Sequence, residues 1–132
     1  MLEADAIIKQ IYASEVDYLE IRKRADTLKL MPVRTPAQGY ELGDYQKKLA
    51  HDKEVITKWM ARLKVLGVSK VAVSGAVRTN ALTELKQSVV SYKATLLVQA
   101  DMDVKELDNC NIQIALIDEV IAKPKVVFEW LQ

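Results

Sequence analysis

The residues with chemistry to offer are few and scattered. His51 is the chain's one histidine and stands beside Asp52. An imidazole next to a carboxylate is raw material for general-base catalysis, but a base needs a nucleophile or an orienting partner within reach. No motif in the sequence supplies one, so His51 reads as a helix-surface or interface residue. Cys110 is the single cysteine, which excludes an intrachain disulfide. It falls among apolar residues at helical spacing, with no histidine motif or cationic pocket to hold a thiolate, and reads as a small buried hydrophobe. The acids at Asp101, Asp103, Glu106 and Asp108 resemble a calcium loop only in part. Lys105 stands where the third oxygen ligand belongs, and the glycine that makes the turn is missing. A capped helix start accounts for the same residues, and no metal is expected.

Basic side chains offer a different chemistry, contact with phosphate or with acidic protein. Arg22, Lys23 and Arg24 form the densest basic run, and Lys47, Lys48, Lys58, Arg62 and Lys64 extend the set of candidate contacts. The total of 19 Lys and Arg against 18 Asp and Glu hides an asymmetry. Residues 22–86 hold fourteen basic and six acidic side chains, a net +8, and the rest of the chain holds five and twelve, a net −7. Four readings follow: the charges are mixed solvated faces of ordinary helices, the basic segment lies against the acidic ends of the same chain, it meets those of a neighbouring copy, or it faces nucleic acid. Stacking platforms for single strands would be aromatic, but Tyr45 and Trp59 fall on an apolar helical stripe and read as core.

The sequence has no phosphate-binding lysine loop, no dinucleotide glycine fingerprint, no nucleophile elbow, no zinc-protease pair and no paired cysteines for zinc. An enzyme is therefore not expected, nor a cofactor, nor a small-molecule substrate.

The elements that would position these residues are helical. Half of the 132 residues are apolar and 28% are charged, a globular composition, and 4 Gly with 3 Pro are too few for the many turns of an all-β fold. Apolar residues recur at three- and four-residue intervals. The first stripe runs Ala4, Ile7, Ile11, Ser14, Tyr18, Ile21, Ala25, Leu28, and Pro32 stops it. Thr35, Pro36 and Gln38 spell a capped restart, although Gly39 and Gly43 argue for a start nearer Glu41. The second stripe is Leu42, Tyr45, Leu49, Asp52, Ile56, Trp59, Leu63, Leu66, closed by Gly67 as a left-handed cap with Val68 as its apolar contact. Asp52 interrupts this stripe, either as a device that fixes register and partner number or as a partly solvated residue paired with a lysine.

Residues 68–78 are valine-rich and read as a short strand or an ordered loop. A third helix is expected after Thr79 or Asn80, with Leu82, Leu85, Val89, Tyr92 and Leu96 on its stripe. A fourth follows the Asp103 and Glu106 cap, with Leu107, Cys110, Ile114, Ile117 and Ile121, and Pro124 ends it. The fold class is all-α: a single helical domain of two antiparallel helical hairpins, 3–66 and 80–123, with a connector at 67–79 and an apolar tail at 124–132. The hairpins form one bundle or project as separate arms.

The tail carries Val126, Val127, Phe128, Trp130 and Leu131, too apolar a group to hang in water. It closes its own bundle or docks on another chain. Together with Leu42, Leu49, Asp52, Ile56, Trp59 and Leu63 it makes the expected oligomer or partner interface. The function expected is a non-catalytic assembly or adaptor protein that self-associates within a larger complex, such as a viral particle or another multi-subunit machine. A nucleic-acid-binding accessory subunit and a small inhibitor of a host protein are the alternatives. Partners are then other copies and other protein subunits, with no membrane. The acidic N-terminus lacks the basic region of a signal peptide, and no stretch nears the ~18 apolar residues of a membrane span, so a location inside the cell is expected.

Overall fold

A computed structural model describes residues 2–68 and 75–123. The choice between strand and loop for the connector falls largely on residues 69–74, outside the described residues. The interface expected of Val126, Val127, Phe128, Trp130 and Leu131 lies outside them as well. The fold is all-α, with α1 at Leu2–Lys29, α2 at Pro36–Val65, α3 at Ala76–Leu97 and α4 at Val104–Ala122.

Every residue of the expected first stripe, from Ala4 to Leu28, is buried. So is a second face that the heptad reading did not include: Ile8, Tyr12, Glu15, Val16 and Leu19. The cause is that α1 packs against all three other helices. Apolar doublets at Ile7-Ile8, Ile11-Tyr12 and Tyr18-Leu19 widen its stripe enough to serve them.

Helix α2 starts at Pro36, and the capping box outweighs the glycines. The Gln38 amide N–H donates to Thr35 Oγ1 at 3.2 Å, and the Thr35 N–H donates to Gln38 Oε1 at 2.9 Å. At the other end Gly67 takes φ +82°, the Val68 N–H reaches Leu63 O at 2.9 Å, and the Gly67 N–H reaches Lys64 O at 3.1 Å. Val68 packs on the core beneath, which completes the expected termination motif. Trp59 departs from expectation: it is 37% exposed, and Met60 is buried in its place. The buried stripe of α2 runs Ile56, Met60, Leu63, and a spacing of i, i+4, i+7 shares one helix face as well as i, i+3, i+7 does. Tyr45 is half-buried.

Helix α3 begins at Ala76, a turn before the expected Thr79 or Asn80 cap. The Thr79 N–H already makes a helical bond to Gly75 O at 3.0 Å, and Gly75 at φ +62° precedes the helix without a side-chain cap. The early turn carries Arg78 into a buried ion pair, a tertiary contact that anchors the start of the helix. Helix α4 is capped as expected, with Asp103 Oδ1 accepting from the Lys105 and Glu106 N–H groups at 2.9 and 3.3 Å. It ends at Ala122, before Pro124.

The helices pair in the antiparallel sense. Glu3 near the start of α1 meets Arg62 near the end of α2, and the Lys53 ammonium lies over the Tyr18 ring. Likewise Tyr92 of α3 meets Glu106 at the start of α4, and Lys86 meets Asp118 further on. One apolar cluster holds the two pairs together, with Ala4 to Leu19 of α1, Ile56, Met60 and Leu63 of α2, Ala81 and Leu82 of α3, and Leu116, Ile117 and Val120 of α4. Both hairpins run on past this shared core to their turns.

Candidate functional site

Charge is the first thing the fold arranges. Arg22, Arg24 and Lys58 pair with acids one turn away, Asp26, Glu20 and Glu54. Lys23 pairs with Glu119, and Arg62 with Glu3 at 2.8 Å. Lys86–Asp118 at 2.8 Å and Arg78–Glu15 at 2.7 Å follow the same pattern. Among the described residues, four long-range pairs thus join the basic segment to the acidic ends within one chain. Of the residues expected to contact phosphate, Lys47, Lys48 and Lys64 are exposed along α2, and Lys48 lies over the Tyr45 ring.

The Arg78–Glu15 pair is buried, at 2% and 0% exposure. Arg78 Nη2 also donates to Val120 O at 2.7 Å and Lys123 O at 2.8 Å, the carbonyls that end α4. Its charge therefore sits at the negative end of the α4 dipole, and its Cζ lies 5.7 Å from the centroid of the Tyr12 ring. Burial pushes the Glu15 carboxyl up to about 7, although the Arg78 hydrogen bond and charge pull the other way. Among the described residues, Glu15 Oε2 and Arg78 Nε have no hydrogen-bond partner. This clamp ties α1, α3 and the end of α4 together.

The second polar cluster is a cleft of about 320 Å³ between α1 and α2, lined among others by Asp17, Glu20, Arg24, Lys48, His51 and Asp52. Burial, then the hydrogen bond and charge of the facing Asp17 carboxyl, push Asp52 up to about 7. Among the described residues, Asp52 Oδ2 has no hydrogen-bond partner. No lysine among them pairs with Asp52, and the carboxyl that acts on it is that of Asp17. Among the described residues no group of His, Cys, Asp or Glu is arranged to hold a metal ion. Cys110 is buried and lines an apolar cleft of about 380 Å³ between α3 and α4, alongside Val89 and Tyr92. Tyr92 donates to Glu106 Oε2 at 2.7 Å.

Of the expected interface residues on α2, Ile56 and Leu63 are buried in this chain's own core, while Leu42, Leu49 and Asp52 are half-buried. Among the described residues, the four most exposed large apolar side chains, Leu30, Val33, Tyr40 and Val98, lie at the hairpin turns, and Val65 at the end of α2 follows at 75%. Leu30, Val33 and Tyr40 flank the α1–α2 turn at 84%, 85% and 79% exposure. Val98 at 84% and Val104 at 59%, with Leu97 and Met102, mark the α3–α4 turn. These residues, like Glu15, Arg78 and Asp17, were not singled out from sequence. Glu15 carried a signal of the same kind as Asp52, an acid set between apolar neighbours.

No family model, curated protein or solved structure shows a significant match to the chain. Among the described residues, no helix is long and apolar enough to cross a membrane.

Proposed function

We propose that the protein is a non-catalytic structural or adaptor subunit that works by associating with protein, other copies of itself first. The observation that supports this is the exposure of large apolar side chains at both hairpin turns, where Leu30, Val33 and Val98 are each more than four-fifths exposed. Contiguous apolar surface on a soluble domain marks a surface that another molecule covers. The nucleic-acid reading is weakened by the ion pairs: Arg22, Lys23, Arg24, Lys58 and Arg62 face acids of their own chain, which compete with phosphate for them.

Absolute mass by light scattering behind a sizing column, at low and high salt, tests the proposal. A defined multimer is the expected result. A monomer at both salts overturns it. A steeply salt-dependent retention of single- or double-stranded oligonucleotides would move the function to nucleic acid.

A further inference from the structure

The two hairpin turns are both apolar, but they differ in charge. Residues 29–48, around the α1–α2 turn, hold four basic side chains against Glu41 and Asp44, a net +2. Residues 97–108, around the α3–α4 turn, hold four acids against Lys105, a net −3. Within each turn the apolar and charged groups share surface. Tyr40 and Lys47 lie seven residues apart on one exposed face of α2, and Val104 and Asp108 lie four apart on one exposed face of α4. The high exposure of Leu30, Val33 and Val98 means that neither turn covers the other within one chain.

From this complementarity we propose that the acidic α3–α4 turn of one copy docks on the basic α1–α2 turn of the next, a head-to-tail contact resting on the self-association proposed above. Pairing like turns would set net −3 against −3 or +2 against +2, and like charges across an interface select against that arrangement. The contact uses two different patches, so it repeats from copy to copy and yields a closed ring or a filament.

Charge reversal tests the geometry. Asp101→Lys with Asp108→Lys makes both turns basic, and Lys29→Glu with Lys47→Glu makes both acidic. All four residues are exposed, and the capping Asp103 is left intact. Each double variant alone is expected to lose assembly, and an equimolar mixture is expected to regain it, because each turn then finds an opposite on the other variant. Val98→Ser is expected to weaken assembly without altering charge, and circular dichroism shows whether each variant keeps its helices. A wild-type monomer overturns this contact and the self-association together. A wild-type multimer whose mass the double variants leave unchanged, or a mixture that stays monomeric, overturns the head-to-tail contact alone.

Discussion

At the scale of single residues, one buried carboxyl and one half-buried carboxyl set how stability varies with pH. Glu15 and Asp52 both sit near 7 in the folded chain, against ordinary values of 4.5 and 3.8. Between those limits the native state holds protons that the unfolded chain has released, so stability falls as pH rises from about 4.5 to 7. The half-buried Glu119, held down by Lys123 and Lys23, has the opposite sign and acts at lower pH. Asp52→Asn keeps a donor toward Asp17 at every pH. It is expected to raise stability at pH 8 by about 1 kcal/mol, roughly 4 °C in Tm, and to flatten the profile. Thermal melts between pH 4.5 and 8 check this, and a variant profile parallel to wild type would sink it. Arg78 acts in the other direction. Arg78→Met strands Glu15 and frees the carbonyls of Val120 and Lys123, and is expected to cost about 3–5 kcal/mol in urea unfolding. Adding Glu15→Leu to that variant should recover part of the loss, since no buried acid is then left without its partner.

At the scale of helices, the ends were more legible than the faces. Thr35, Pro36 and Gln38, Gly67 with Val68, and Asp103 each place a termination signal in local sequence, and each forms the contact that its residue types dictate. The start of α3 was not legible because nothing local caps it; a long-range partner, Glu15, fixes Arg78 there. The replacement of Trp59 by Met60 in the core depends on the angle at which α2 meets α1, which a heptad count does not contain. Glycine substitutions separate local from tertiary effects. At φ +82° Gly67→Ala is strained and should cost about 1 kcal/mol, whereas Gly43→Ala, in mid-helix with open space around it, should gain about as much. Thr35→Ala removes one half of the capping box and should cost about 1 kcal/mol. Chemical denaturation of the three variants checks the signs; a destabilised Gly43→Ala would mean that α2 bends or frays there.

At the scale of the whole molecule, the question that the stripes left open was whether two hairpins make one body. Apolar spacing shows which face of a helix is buried but not what buries it, and the second face of α1 is what joins the pairs. Ile117 and Leu82 belong to that junction and are fully buried. Leu96 and Leu28 are buried too, but in the outer parts of their hairpins, beyond the shared cluster. Truncating either kind of site opens a cavity costing about 2–5 kcal/mol, the spread depending on how far the surroundings collapse. The difference is expected in cooperativity. Ile117→Ala should lower the whole unfolding transition while leaving it single, because the cluster that Ile117 belongs to draws on all four helices. Leu96→Ala should instead speed amide exchange near the α3–α4 turn more than in α1, since the outer hairpin can open while the core holds. Hydrogen exchange read by mass spectrometry, together with a calorimetric melt, distinguishes the two. Two separate melting transitions, with Ile117→Ala moving only one of them, would mean that the hairpins fold as independent arms and that α1 does not unite them.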